Sequence, residues 1–133
     1  MDYSSQVLRR FRSPLRAGAL AAEMPGTVRG EAEDRSLNIW VRFHVHAPGS
    51  RIEAVRFEIF GCPHAVAAAE WVAEWLEGRE PSALTAWDVH AAAHALGVPT
   101  EKLGKLLRIE DALLACWQEL ERNGSVVDAE RGG

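Results

Sequence analysis

Apolar and polar residues alternate along two neighbouring stretches of the chain. In the first stretch the apolar positions are Leu37, Ile39, Val41, Phe43 and Val45, and the positions between them are Asn38, Trp40, Arg42, His44 and His46. After the Ala-Pro-Gly-Ser stretch at 47–50, residues 52–60 repeat the alternation with Val55, Phe57 and Ile59. A period of two is typical of a strand with one buried face. The pattern predicts an antiparallel hairpin, and residues 27–32 are a candidate edge strand beside it.

Elsewhere the apolar residues recur with the spacing of a helix. The predicted helices span residues 4–12, 64–77, 85–96 and 101–122. Pro14 ends the first helix, because the residue before a proline is disfavoured in the helical conformation. Thr85 is the expected N-cap of the third. A small three-stranded antiparallel sheet with helices packed on one face is an α+β domain.

Three tryptophans lie on the predicted helices, namely Trp71, Trp75 and Trp117. We interpret them as core residues that pack the helices onto the sheet. The alternative is an exposed aromatic patch that binds a partner. We expect one domain over residues 1–123, followed by a disordered tail at 124–133.

Composition and charge exclude several classes of partner. The formal charge of −4 offers no basic surface for nucleic acid or an anionic membrane. No apolar run approaches the ~18 residues of a membrane span, and residues 1–14 lack the apolar core of a signal peptide. The two cysteines, Cys62 and Cys116, cannot make a disulfide framework, so we expect both thiols to be reduced and the protein to be cytoplasmic.

Cys62 lies in a Gly-Cys-Pro turn that leads into a predicted helix. A helix N-terminus favours the thiolate form of a cysteine, which suits a reactive or metal-ligating role. The alternative is a small buried residue at a tight turn. His64 is a possible second ligand beside Cys62, although a solvent-facing position in the first helical turn is the simpler expectation. We expect Cys116 to lie in the core.

The other histidines form two pairs of suggestive spacing. His44 and His46 share one side of a strand, and His90 and His94 are one helical turn apart. Neither pair has a third ligand nearby in the sequence, so we expect the strand pair to be exposed and the helix pair to be exposed or half-buried. The sequence contains no Ser-His-Asp set, paired-carboxylate motif or phosphate-binding loop, so we expect the protein not to be an enzyme.

Four segments, in this order, resemble the IscU/NifU N-terminal family of iron–sulfur cluster assembly scaffolds. They are YSSQVLRRFRSPLRAGAL at 3–20, RIEAVRFEIFGCPHAVAAAEWVAEWLEGRE at 51–80, VPTEK at 98–102 and EDALLA at 110–115. The first matches the family at Tyr3, Val7, Phe11, Pro14 and Gly18. The second resembles the last strand of the family, its Gly-Cys turn and the helix after it, and the third resembles its chaperone-recognition motif. The resemblance implies the α+β scaffold fold.

The resemblance also implies a ligand set, of which this chain keeps one cysteine in three. Family members hold an iron–sulfur cluster or a metal ion with three cysteines, assisted by an aspartate and a histidine. The second cysteine corresponds to Cys62. The substituted positions are Glu33 at the first cysteine, Arg35 at the aspartate, Gly104 at the histidine and Lys105 at the third cysteine. The chain is therefore identified as a degenerate member. The resemblance implies an iron–sulfur cluster, iron or zinc as cofactor, but a lone Cys62 with a carboxylate would be a poor cage for a cluster.

Two arrangements of the substituted site remain open. In one, Glu33 forms an ion pair with Lys105 or Arg35 and closes the site in place of a metal. In the other, Glu33 joins Cys62 and His64 around a zinc ion.

Two functions remain open as well. The first is an accessory or regulatory role in iron–sulfur cluster assembly, with the cysteine desulfurase or assembly chaperone that the family implies as partner. The second is a metal-free protein-interaction module on the same fold.

Overall fold

The computed structural model describes residues 3–124. Of the predicted tail at 124–133, only Gly124 belongs to this range, and the remainder lies outside the described residues. Among residues 3–124, no helix is both long and apolar enough to cross a bilayer.

The sheet has three antiparallel strands in the order β1-β2-β3. The strands are β1 (Thr27–Asp34), β2 (Ile39–His46) and β3 (Ala54–Phe60). The candidate edge strand is therefore present, two residues longer than expected. Leu37 was expected in β2 but lies in a short 3₁₀ helix, Arg35–Leu37, that joins β1 to β2. Asn38 then adopts a left-handed conformation with φ of 57°, which asparagine tolerates better than most residues. That turn, rather than the alternation, sets the start of β2.

The strand register confirms the predicted faces of the hairpin. Phe43 pairs with Phe57 and Val45 with Val55, so the apolar positions of both strands share the face that the helices cover. Val41 and Phe57 are 0% and 1% exposed. A slip of one residue would have turned this whole set to solvent.

His44 lies on the opposite, open face of the sheet but is buried, contrary to expectation. Its partners in the register are Arg29 and Arg56, whose long side chains flank it. The Nε2 atom of His44 lies 2.7 Å from Oε1 of Glu58. His46 is half-buried, and its Nδ1 lies 2.9 Å from the hydroxyl of Thr27. The two histidines therefore bond to different neighbours.

The part of the chain that the structure describes has four helices, two packed directly on the sheet and two packed on those helices, as the α+β prediction requires. They are α1 (Ser5–Arg12), α2 (Pro63–Leu76), α3 (Val89–Leu96) and α4 (Leu103–Arg122). α4 packs against β1 and β2, and α2 packs against β3. A 3₁₀ turn, Thr100–Lys102, precedes α4, which therefore begins two residues later than expected.

The outer edge of β3 is covered by the chain that follows α1. The N–H of Phe57 donates to the carbonyl of Arg16 at 3.0 Å, and the N–H of Gly18 donates to the carbonyl of Phe57 at 2.8 Å. The carboxylate of Glu77, just after α2, accepts from the N–H of Val55 at 2.9 Å. These bonds occupy backbone groups that an edge strand would otherwise leave open.

The N-cap of α3 is Asp88, not Thr85 as expected. The carboxylate of Asp88 accepts from the N–H of Ala91 at 2.9 Å, whereas the hydroxyl of Thr85 donates to the carbonyl of Ser82 in the preceding turn. Both residue types cap helices well, and the residue just before Asp88, Trp87, is buried.

We expect Asp88→Ala to lower the free energy of unfolding by about 1 kcal/mol, because it leaves first-turn N–H groups of α3 without their side-chain acceptor. Thr85→Ala is the matched control and should cost clearly less. Urea unfolding of the two variants checks this, and equal losses would contradict the assignment of the cap.

Candidate functional site

Cys62 lies at the end of the sheet where β3 passes into α2. The register pairs Glu33 of β1 with Trp40 of β2, and Trp40 with Phe60 of β3, so these three residues mark the same end of the sheet. Two strand spacings separate β1 from β3, about 10 Å. The sequence-predicted residues therefore come to one end of the fold, but not to one point.

Cys62 is the N-cap of α2 and is half-buried. Its φ of −79° and ψ of 169° are extended, and its side chain makes no capping hydrogen bond. Pro63 follows as the first helical residue, where the missing N–H costs nothing. The thiol is thus placed beside the first turn of the helix, as the sequence predicted.

His64 is buried at 2% exposure, so the expectation that it faces solvent is wrong. The ring of Tyr3 packs edge-on against it, with the ring centroids 4.8 Å apart. Burial, and then the positive charges of Lys102 and Lys105, lower the pKa of His64 below its ordinary value. Its Nδ1 is buried without a hydrogen-bond partner among the described residues. Burial and the two nearby lysines therefore both favour the neutral form of the His64 imidazole.

Gly104 and Lys105 are the two substituted positions on α4. A Cβ added at Gly104 would lie 3.1 Å from Cδ1 of Leu37, so the side chain of Leu37 fills the space beside this glycine. Lys105 is half-buried and takes part in no ion pair with any residue in the range 3–124. An apolar side chain and a cation therefore stand at the positions that the family resemblance assigns to a histidine and a cysteine.

Glu33 forms an ion pair with Arg35, one of the two partners expected for it. This pair does not close the site. Oε2 of Glu33 lies 4.0 Å from Nε of Arg35, with the side chains 55% and 92% exposed. Because Glu33 pairs with Trp40, it lies on the open face of the sheet, away from α4. The expected partner Lys105 is on α4 and does not take part.

Asp34 is the acidic residue that sequence reasoning passed over. It pairs with the buried Ile39 and therefore lies on the helix side of the sheet. Its carboxylate accepts from the hydroxyl of Ser36 at 2.6 Å and from the N–H of Leu37 at 3.2 Å. The Ser36 bond leads the contacts that lower the pKa of Asp34. Extending the strand alternation back through β1 would have distinguished Asp34 from Glu33.

Within residues 3–124, no three His, Cys, Asp or Glu side chains are grouped closely enough to hold a metal ion. Cys62 and His64 lie near the start of α2, Glu33 points to the other face, and Asp34 is engaged in its own turn. His90 and His94 are both exposed on α3.

The order of strands and helices recurs in known proteins. The family model described as "NifU-like N terminal domain" matches residues 2–124. The chain belongs to the NifU-like N-terminal domain family. This confirms the resemblance drawn from the four sequence segments.

Individual members of the NifU-like family match over nearly the whole chain. The iron–sulfur cluster assembly scaffold protein IscU of Azotobacter vinelandii is 24% identical over 128 residues, which cover 96% of this chain and 100% of the relative. The IscU of Rickettsia prowazekii is 25% identical over 116 residues, covering 86% of this chain and 88% of the relative.

Solved structures confirm the NifU-like fold. A putative scaffold protein for the SUF system from Fervidobacterium islandicum superposes with a TM-score of 0.57 at 18% identity, covering 90% of this chain and 93% of the other. The N-terminal part of a NifU-like protein from Brucella abortus gives a TM-score of 0.56 at 16% identity, covering 96% and 91%.

The other cysteine of this NifU-like domain, Cys116, belongs to the core, as expected. It is 0% exposed on α4, and its thiol donates to the carbonyl of Phe43 at 3.6 Å. Burial raises the pKa of the Cys116 thiol, so its thiolate is scarce at neutral pH.

We expect an alkylating agent to modify Cys62 of the folded protein well before Cys116. Iodoacetamide labelling followed by peptide mass spectrometry measures both rates, with Cys62→Ser as the variant that should abolish the fast phase. Labelling in urea is the control, since both thiols should then react. Similar rates for both cysteines under native conditions would contradict the prediction.

Proposed function

We propose that this chain serves iron–sulfur cluster assembly in an accessory or regulatory role, from a cluster site that has become degenerate. The observation that carries the proposal is the set of side chains around Cys62. Family membership supports the assembly process, and the substituted positions support the departure from an ordinary scaffold.

The donors near Cys62 do not fit a resident iron–sulfur cluster. Such clusters are held mainly by thiolate sulfur, and the chain has one other cysteine, which is in the core. His64 is flanked by the charges of Lys102 and Lys105, which oppose the approach of another cation. Leu37 fills the space beside Gly104. Each of these features weakens a cluster cage while leaving the fold intact.

A scaffold-shaped protein with such a site acts by binding. It keeps the overall shape by which a cysteine desulfurase or an assembly chaperone would recognise a scaffold, and it occupies that place without receiving a cluster. In this proposal the protein catalyses no reaction. Its effect is to lower the rate at which a functional scaffold receives a cluster. The rate falls in proportion to the fraction of desulfurase or chaperone molecules that this chain occupies.

The second candidate is a metal-free interaction module with no remaining part in metal handling. The same absence of a three-ligand group within residues 3–124 favours it. The two candidates differ in what Cys62 does: in the first it retains weak binding of iron or zinc, and in the second it binds none.

Anaerobic reconstitution with iron and sulfide, followed by elemental analysis, separates these outcomes. We expect no stable chromophore, with the Azotobacter vinelandii IscU as the positive control. Metal that is bound by the parent protein and absent from Cys62→Ser would support the first candidate. A parent protein without metal would support the second. A stoichiometric, stable cluster would show that the site is not degenerate.

The accessory role is tested by adding the chain to an assembly mixture of cysteine desulfurase, IscU, iron and cysteine. We expect cluster formation on IscU to slow in proportion to the added chain, and excess IscU to restore it. An unrelated domain of similar size and charge is the control. An unchanged rate at a large molar excess would refute the accessory role.

A further inference from the structure

One edge of the sheet is left open by the part of the chain that the structure describes. β1 is an end strand, and the segment after α1 covers the edge of β3 at the other end. The N–H of Ala47 donates to the carbonyl of Gly26 at 2.8 Å, and this pair continues the register of β1 with β2. Because bonded pairs alternate along an antiparallel ladder, the backbone groups of every odd-numbered residue of β1 point away from the sheet.

Arg29 and Glu31 are the central residues of this outward-facing set. Within residues 3–124 the N–H and carbonyl groups of both residues have no hydrogen-bond partner. Val28 and Gly30, which alternate with them, direct their backbone groups to β2. An open row of backbone N–H and C=O groups is the surface to which an additional strand binds.

A cavity of about 510 Å³ lies along the same edge, between β1 and the C-terminal half of α4. Its charged side chains, Arg29, Arg42, Glu31 and Glu119, balance one another, so charge does not select an occupant. The open backbone groups do, because an extended polypeptide presents N–H and C=O groups at the spacing of a strand. The other lining residues are chiefly Thr27, Val28, Ala115, Gln118 and Asn123.

A second copy of β1 does not fit along this edge. A Cβ added at Gly30 would lie 2.4 Å from the N atom of Cys116, so α4 runs directly beneath β1. Two β1 strands paired along their length would bring two α4 helices to about 5 Å from each other, whereas packed helices lie about 8–10 Å apart. A single strand with no helix beneath it meets no such obstacle.

The chain itself continues from the end of this cavity. Asn123, the C-cap of α4, lines the cavity, and Gly124 follows with a left-handed φ of 78°. α4 runs antiparallel to β1, because Gly104 lies beside Leu37 beyond the end of β1, whereas Asn123 lies with Thr27 at its start. A segment that turns back after Gly124 along the edge therefore runs parallel to β1.

The sequence SVVDAERGG at 125–133 has the pattern of a half-buried strand. Val127 and Ala129 alternate with Asp128 and Glu130, which is a period of two. Along the edge of β1, the apolar pair would face α4 and the acidic pair would face away from it. Residues 125–131, extended at about 3.3 Å per residue, reach about 23 Å, which is most of the length of β1.

We propose that residues 126–131 bind the open edge of β1 as a fourth, parallel strand. Val127 and Ala129 then exchange backbone hydrogen bonds with Arg29 and Glu31, because a residue in a parallel pair bonds to the two residues that flank its opposite number. The added strand closes an edge that would otherwise be free to pair with an extended segment of another protein. Such a segment can bind there only by displacing residues 126–131.

Amide hydrogen exchange of the full chain, followed by nitrogen-15 NMR, tests this arrangement. The N–H groups of Arg29 and Glu31 should exchange about tenfold or more slowly in the full chain than in a chain that ends at Gly124. The N–H groups of Val28 and Gly30 are the internal control, since β2 protects them in both chains. Residues 126–131 of the full chain should show chemical shifts typical of a strand.

A proline variant tests the same strand without shortening the chain. Ala129→Pro removes a backbone donor from the centre of the added strand, so Arg29 and Glu31 should lose their protection as they do in the shortened chain. Gly132→Pro is the matched control beyond the strand and should leave the exchange of both residues unchanged. This pair of variants also decides the question if the shortened chain does not fold.

Several results would overturn the proposal. They are fast exchange of Arg29 and Glu31 in the full chain, equal protection in Ala129→Pro and the parent, and random-coil shifts for residues 126–131, which would establish the disordered tail expected from the sequence. Protection that falls on dilution would identify the same segment of a second copy as the occupant, and would equally refute a strand added within one chain.

Discussion

Gly30→Ala should lower the free energy of unfolding by about 3 kcal/mol or more, the upper range for overpacking a core. Gly30 is the point at which β1 touches α4. A Cβ added there would lie 2.4 Å from the N atom of Cys116, 2.5 Å from the carbonyl O of Ala112 and 2.9 Å from the carbonyl C of Ala115. All three atoms belong to the backbone of α4, so no side-chain rotation relieves the contact. The helix and the strand would have to separate.

Gly49→Ala is the matched control, because a Cβ there meets nothing within 4 Å. Its cost should stay within about 0.5 kcal/mol. Urea unfolding followed by circular dichroism measures both variants, and failure of Gly30→Ala to accumulate as folded protein would be the extreme of the same result. Equal midpoints for Gly30→Ala and the parent would show that α4 does not approach β1 this closely.

The parts of the fold that the sequence predicts are those with a strict period over a buried face. β2 and β3 follow from alternation, because every second residue contacts the helices, and α2 follows from its alanine-rich pattern. The start of β2 could not be obtained this way. Leu37 continues the alternation, but the left-handed Asn38 interrupts the strand, and this conformation depends on how β1 returns into β2.

The site was harder to predict because its decisive contacts are long-range. His64 is buried partly by Tyr3, which is far away in the chain, so no local pattern distinguishes it from an exposed first-turn histidine. The side to which Glu33 points depends on the register of β1 against β2. The family resemblance grouped Glu33 and Lys105 with Cys62, but it could not show that Glu33 and Lys105 lie on different sides of the sheet.

A buried ion-pair network joins the segment after α1 to α2. The side chain of Glu70 is 2% exposed, and its carboxylate accepts from the backbone N–H of Arg16 at 2.8 Å and from Nη1 of Arg16 at 2.9 Å. Nε of Arg16 also donates to Glu77 at 2.8 Å. Arg16 is 25% exposed, so water reaches one side of the network. Loss of the guanidinium would leave the Glu70 carboxylate buried with one backbone donor.

We expect Arg16→Met to lower the free energy of unfolding at pH 7 by about 2–4 kcal/mol. Breaking a fully buried pair costs about 3–5 kcal/mol, and the partial exposure of Arg16 reduces this. Glu70→Gln should cost less than Arg16→Met, because a neutral amide oxygen still accepts from the N–H of Arg16. The double variant should therefore be more stable than Arg16→Met alone, and a double-mutant cycle measures the coupling.

The loss in Arg16→Met should shrink as the pH falls from 7 towards 5. Burial raises the pKa of Glu70 in the folded protein, while the bonds from Arg16 oppose that rise. A carboxyl whose pKa is raised on folding favours the folded state below its unfolded pKa, and this contribution is lost as the pH rises through the folded pKa. Removing Arg16 raises the folded pKa further, so acid should protonate Glu70 and relieve the unpaired charge.

Glu77 also loses a partner when Arg16 is removed, and this too makes the loss of stability smaller at low pH. The effect of Arg16→Met at each pH is therefore measured again in the Glu70→Gln background. Only the part of the pH dependence that is absent from this background belongs to Glu70. A loss that stays constant between pH 5 and 7, or that is unaffected by Glu70→Gln, would show that the Glu70 charge is not what Arg16 neutralises.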